Sequence, residues 1–262
     1  MRLKPNLRLA AVLVLLVLLL AALVYLFADR DSDPPPREQV PAEVPPAVPA
    51  PPRELPPPPE QVSDTYRLSG TLPALDASDE ALFGHLSLLL SAVRLGLLEG
   101  DQFLRKLVLQ IDNAARGQLI YQHSPLRAPA AALQAVERDG GLFLDPASHA
   151  RYAPYAELAT AVDPRLLVAY YRFYEPLLQE AYAELGYPPE NFRSTLIAAI
   201  DQTLAAPLVE GTIELKQPEA NYLYADPALE SLNMVQKQLL RMGPENTAAI
   251  QRALQDFKAR IQ

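Results

Sequence analysis

Residues Leu9 to Ala28 form twenty consecutive positions without a charge or a proline. At about 1.5 Å of rise per residue, such a run matches a hydrocarbon core roughly 30 Å thick and predicts one membrane-spanning helix. Arg2, Lys4 and Arg8 precede the run, whereas Asp29, Arg30, Asp31 and Asp33 follow it. The bias of basic residues toward the cytoplasmic side then places residues 1–8 in the cytoplasm and everything after residue 28 outside. A cleaved signal peptide is the rival reading, but the run is longer than an ordinary signal core and offers no small-x-small exit. The helix is Leu, Val and Ala, with Tyr25 and Phe27 near its outer end. It holds neither an ionisable relay residue nor a Gly-x-x-x-Gly face, so it reads as a passive tether.

The next stretch, 29–65, is a linker. Thirteen of the 27 prolines lie between Pro34 and Pro59. Proline fixes φ and donates no hydrogen bond, so this stretch joins neither a helix nor a central strand. In an extended polyproline conformation it would reach on the order of 100 Å. Pro46-Ala-Val-Pro49 also fits a proline-recognition ligand, although such matches are nearly unavoidable at this composition.

Residues 66–262 are long enough to bury a core of their own. The formal charge of −8 divides into −2 for residues 1–65 (six basic, eight acidic) and −6 for the remainder (17 basic, 23 acidic). An acidic domain with scattered basic residues is a poor nucleic-acid binder, because neutralising phosphates needs a basic face. Cysteine is absent, which removes disulfides and thiolate metal sites and fits either side of a membrane.

Within the domain, an extended lead-in (66–75) is followed by helix-start chemistry at Asp76 or Ser78. A strongly apolar helix to about Arg94 carries Leu82, Phe83, Leu86, Leu89, Leu90 and Val93 at helical spacing. A second helix, from about Asp101 to Gly117, has the stripe Phe103, Leu104, Leu107, Val108 and Ile111. Asp139-Gly140-Gly141 signals a hairpin between Ala132–Val136 and Leu142–Leu144, with a helix over Ala130–Val136 as the alternative. Three Asp-Pro pairs, led by Asp145, Asp163 and Asp226, each read as an N-cap followed by proline at the first helical position. The helix from Asp163 runs to Leu185 with a kink expected at Pro176, and another spans about Pro189 to Ala206. A second hairpin joins 212–217 to 220–224. Two last helices, 227–241 and 244–261, meet at Gly243-Pro244. The prediction is a mainly α chain: a transmembrane helix, a proline-rich linker and a domain of about seven helices with one or two short β-hairpins.

Chemistry-bearing motifs are sparse. His85, His123 and His149 have no companion at ligand spacing, so no metal or cofactor site is expected. Neither a nucleophile elbow nor a phosphate-binding glycine loop is present, and no catalytic residue can be named. Seven of the twelve tyrosines lie between Tyr152 and Tyr187. Most are expected to pack, with Tyr171 and Tyr182 the more exposed members and hence candidate binding residues. The Gly243-Pro244 corner brings a helix C-terminus to a helix N-terminus, with Arg241 suited to the negative end and Glu245 and Asn246 to the positive end. Arg241, Glu245 and Asn246 are therefore the other candidate binding residues, with a doubly capped structural corner as the alternative.

Several short motifs occur together in order: Leu72-Pro73-Ala74-Leu75-Asp76, Ile111-Asp112-Asn113 with Arg116-Gly117, and Leu144-Asp145-Pro146 with Arg151-Tyr152. Further along come Glu184-Leu185-Gly186-Tyr187-Pro188, Ala225-Asp226-Pro227 and Arg241-Met242-Gly243-Pro244-Glu245-Asn246. In this combination the chain resembles, over roughly residues 70–260, a bacterial family known only as domain of unknown function 3014. The resemblance implies a Gram-negative envelope protein with an N-terminal anchor, and it supplies no activity or ligand. Two function classes follow. One is a non-enzymatic interaction or scaffold module in the periplasm, with an envelope protein as partner. The other is an enzyme acting on peptidoglycan or another envelope polymer.

Overall fold

In the computed structural model, residues 70–87, 90–187, 191–217 and 221–262 are described. The apolar run 9–28, the linker 29–65 and the start of the lead-in lie outside these residues, as do Pro188-Pro189 and the 218–220 connection. Nine α-helices occur among the described residues: α1 (Ser78–Leu86), α2 (Ala92–Leu95), α3 (Phe103–Ala115), α4 (Ala153–Thr160), α5 (Pro164–Ala183), α6 (Phe192–Leu204), α7 (Pro227–Glu230), α8 (Met234–Met242) and α9 (Pro244–Ile261). Short 3-10 segments precede α1 and α4.

The Asp-Pro pairs do what their chemistry dictates. The carboxylates of Asp145, Asp163 and Asp226 accept from the backbone N–H of Ala147, Arg165 and Ala228 respectively. Asp145 opens the 3-10 segment Pro146–Tyr152, which leads directly into α4. The α5 helix continues through Pro176.

Nine helices appear where seven were expected, because two long segments break. Ser87 Oγ donates back to the Gly84 carbonyl, and Ser91 accepts from Arg94 N–H to start α2, so the apolar segment to Arg94 is two helices. These hydroxyls offer the backbone an alternative to the helical ladder. Likewise Asn233 and Gln236 form a reciprocal capping box that starts α8 afresh and splits 227–241. Neither Asp76 nor Ser78 caps α1; the Ser78 hydroxyl donates to the Leu75 carbonyl. Asp79 instead accepts from Gln102 N–H and Phe103 N–H at 2.6 and 2.9 Å, capping α3 from a distance of more than twenty residues.

Both hairpins form, and they join. Strands β1 (Ala135–Arg138) and β2 (Gly141–Leu144) turn at Asp139-Gly140, both at positive φ (51° and 78°), the conformation a two-residue hairpin loop requires. β3 (Glu214–Lys216) pairs antiparallel with β2 (Leu142↔Leu215) and with β4 (Leu223–Tyr224; Leu215↔Tyr224), giving one sheet in the order β1-β2-β3-β4.

Two apolar clusters result. The larger is helical, built where α3, α5, α6 and α9 pack together, with Tyr152, Tyr155, Tyr170, Tyr171 and Tyr174 fully buried beside Phe103, Phe192 and Phe257. The smaller comprises Leu133, Leu144, Ile213, Leu215, Tyr224 and Leu240 beneath the sheet. Helix α8 belongs to both: Val235, Leu239 and Met242 enter the helical cluster, while Leu240 enters the sheet cluster.

Candidate functional site

The corner between α8 and α9 is built around Gly243, at φ +82° and ψ +161°, a region open essentially to glycine alone. A Cβ there would stand 2.4 Å from His149 Nδ1, so the imidazole packs directly on the glycine backbone. Asn246 Nδ2 donates to the carbonyls of His149 and Met242, each at 2.9 Å. Asn246 therefore closes the C-terminal end of α8, instead of capping the N-terminal end of α9 as expected; an amide nitrogen donates and cannot accept from the free N–H groups of a helix start. Glu245 is exposed in the first turn of α9, where a negative charge suits the helix dipole. Burial pushes the His149 imidazole below its ordinary value, against the pull of the Asp145 and Glu245 carboxylates, and its Nε2 is buried without a hydrogen-bond partner.

Tyr171 and Tyr182 do not join this corner and are not exposed: they retain 0% and 3% of their accessible surface. Their hydroxyls are served internally, which removes the usual reason for a tyrosine to keep its tip in water. Tyr171 donates to Glu175 at 3.0 Å and meets Phe257 edge-on, while Tyr182 accepts from the Thr195 hydroxyl at 3.0 Å. Tyr187, at 43%, is the exposed tyrosine of that stretch, over the Asp112–Arg116 pair. Among the described residues, no group of three or more His, Asp or Glu side chains is placed to hold a metal ion.

On the sheet side of the same corner, polar groups from five segments converge. Arg241, in the last turn of α8, reaches the Tyr224 hydroxyl and also bears electrostatically on Tyr121 and Tyr152. Tyr152 and Tyr224, one from each apolar cluster, are close enough to influence each other's ionisation. The Arg151 guanidinium lies 4.5 Å from the Tyr152 ring centroid and donates to the Tyr152 hydroxyl and, at 2.8 Å, to the Ala131 carbonyl. Its Nε–H is buried without an acceptor. Tyr224 donates its hydroxyl to the Lys237 carbonyl at 3.0 Å and its N–H to Glu230 at 2.8 Å, and Glu230 also pairs with the Lys237 ammonium. Gln238 is completely buried; its amide faces the Tyr152 hydroxyl, yet neither amide atom makes a well-formed hydrogen bond.

Burial raises the tyrosine hydroxyls of this seam, that of Tyr224 to about 12, with Arg241 opposing the shift. They stay protonated at neutral pH and can donate. For Glu230, burial pushes upward, but Lys237, the Tyr224 N–H and Arg241 hold the carboxyl below its usual range. The seam thus brings Arg241 and Lys237 to the Glu230 carboxylate, with Arg151 against Tyr152. Of the residues selected from sequence, Arg241, Glu245 and Asn246 lie at or beside this seam. Tyr121, Arg151, Tyr152, Tyr224 and Gln238 were missed, and no local spacing links them.

Fold and site together define a mainly helical domain that carries a small antiparallel sheet, with a cationic, tyrosine-lined seam between the two. The family described as protein of unknown function (DUF3014) matches residues 103–258, from the start of α3 to the last turn of α9, and the chain belongs to that family. No curated protein and no solved structure matches the chain.

Proposed function

We propose that this protein is a single-pass bacterial inner-membrane protein whose helical domain works in the periplasm as a non-enzymatic binding module for an envelope partner. The tether rests on the Leu9–Ala28 run and the charges flanking it. The observation that carries the binding reading is the convergence of Arg151, Arg241, Tyr121, Tyr152 and Tyr224 on one seam beside the exposed Glu245. Arg151, Arg241 and Tyr121 are the half-buried members, and such side chains combine apolar contact with directed donors, the combination that anchors protein interfaces.

The test has two arms. A reporter active only in the periplasm, fused after Gln262, is expected to be active, and the intact chain to remain with the membrane; a soluble form beginning near Asp29 refutes the tether. A photo-crosslinker at Glu245, in the full chain in cells, is expected to trap one envelope protein that a crosslinker at the distant, exposed Glu80 does not. Equal trapping at the two positions refutes a binding face at this corner. Turnover of muropeptides by the full chain, lost on changing one Asp or Glu with folding intact, establishes the enzymatic reading instead.

A further inference from the structure

We propose that His149 is a proton-sensitive latch on the corner between α8 and α9: the uncharged imidazole seats on Gly243 and holds the corner closed, and the imidazolium releases it. The latch regulates the face that displays Glu245, and that part of the inference rests on the binding-module reading.

Three features of the geometry meet at this ring. Its seat is the bare backbone of Gly243, so close that a Cβ there would lie 2.4 Å from Nδ1 and 2.5 Å from Cγ. The residue is tied to both helices, because Asn246 Nδ2 donates to the His149 and Met242 carbonyls, each at 2.9 Å. Its Nε2 is buried without a partner among the described residues. A neutral imidazole can leave one nitrogen bare, whereas an imidazolium has two N–H donors to place. In the seated position the Nε2 donor is buried without an acceptor, and the positive charge is desolvated with it. Leaving the seat hydrates both.

The charged groups around the ring do not remove that penalty. Asp145, which caps the 3-10 segment carrying His149, and Glu245, in the first turn of α9, both draw a proton to the ring. Burial outweighs them, and the balance is downward from 6.5. From α8, Arg241 is turned to Tyr224, and Arg151, farther along the 3-10 segment, to Tyr152. The released ring takes up its proton near 6.5 and the seated ring only at lower pH, so the opening equilibrium grows as pH falls. Between pH 7.5 and 5.5 that growth has a ceiling of about tenfold, reached when the seated ring stays uncharged throughout.

Amide hydrogen exchange in the detergent-solubilised full chain, read by NMR as protection factors, tests the latch. Gly243 N–H donates to the Leu240 carbonyl at 3.2 Å and Thr247 N–H to the Gly243 carbonyl at 3.1 Å, so these two amides report the corner. From pH 7.5 to 5.5 their protection is expected to fall by about threefold to tenfold. That of Leu167, bonded to the Asp163 carbonyl at the start of α5, is expected to stay within about twofold. His149→Gln cannot titrate and is expected to lose the pH dependence, whereas His85→Gln, which removes the other buried imidazole, keeps it. If His149→Gln fails to fold, the wild-type imidazole titration decides: a midpoint below 6.5, shared by the Gly243 and Thr247 amide resonances, supports the latch. Protection that does not change with pH, a fall shared equally by Leu167, or the same fall in folded His149→Gln overturns it. Crosslinking from Glu245 is expected to weaken over the same range, and constant trapping while protection falls refutes the regulatory role. Trapping of nothing at either pH refutes the binding reading instead, and hydrogen exchange still decides the latch.

Discussion

Replacing Gly243 by alanine tests the corner on which both the fold and the proposed binding face depend. Two costs are separable. At φ +82° and ψ +161° an L-residue occupies backbone space that costs about 1–3 kcal/mol. The added Cβ also meets His149 Nδ1 at 2.4 Å and Cγ at 2.5 Å, against ordinary contact distances of 3.4–4 Å. The ring has to move, and its residue is held by the bond from Asn246 to the His149 carbonyl. Overpacking of this kind costs about 1–3 kcal/mol. The expected loss is about 2–6 kcal/mol, a large part of the roughly 5–15 kcal/mol by which a domain is stable. Urea unfolding of the full chain in detergent, followed by far-ultraviolet circular dichroism, measures it. The decisive comparison repeats Gly243→Ala in a His149→Ala background, where the steric cost disappears and the backbone cost remains. The loss is then expected to shrink to about 1–3 kcal/mol. An equal loss in both backgrounds refutes the glycine–imidazole contact, and a loss below about 0.5 kcal/mol in the wild-type background refutes the positive φ.

Three further outcomes are expected. Burial holds His149 and His85 below their ordinary 6.5, so the unfolded chain takes up protons first as pH falls. Stability is therefore full above about pH 6.5 and declines below it; denaturation across that range checks this, and a His149→Asn, His85→Asn variant is expected to be flatter. Asp226→Ala and Asp163→Ala each remove a side-chain cap and are expected to cost about 0.5–2 kcal/mol, read as a shift in urea midpoint. Asp79→Ala is expected to cost at least as much, because it strips two N–H partners from the start of α3, and hydrogen exchange at Gln102 and Phe103 is expected to rise first.

What could be read from the sequence was local. An Asp followed by Pro carries its own cap and its own first helical residue, so Asp145, Asp163 and Asp226 announced helix starts without any tertiary information. Asp139-Gly140 likewise specified a two-residue turn. The break before α8 was also legible: Asn233-x-x-Gln236 is a capping box in plain sight, outweighed by the apolar pattern that runs through it. The burial of Tyr171 and Tyr182 was not legible. A helical stripe shows which residues share a face, but α5 is enclosed by α3, α6 and α9, and Thr195 and Glu175 supply the hydroxyl partners. The pairing of β2 with β3 joins segments separated by some seventy residues, beyond any turn signal.

The seam was hidden for the same reason, and its placement follows from the way the two apolar clusters meet. Each apolar cluster alone is an ordinary core. They share α8, whose Val235, Leu239 and Met242 face one and Leu240 the other, so Lys237, Gln238 and Arg241 are carried to the boundary by the same helical periodicity. Tyr152 and Tyr224 then meet from opposite sides, each with an apolar ring for its own cluster and a hydroxyl turned toward polar groups at the seam. A boundary of this kind cannot be closed with hydrocarbon alone, because the tyrosine hydroxyls, the Gln238 amide and two guanidiniums all need partners there. Protein groups satisfy many of these demands, but Arg151 Nε and the Gln238 amide remain short of them.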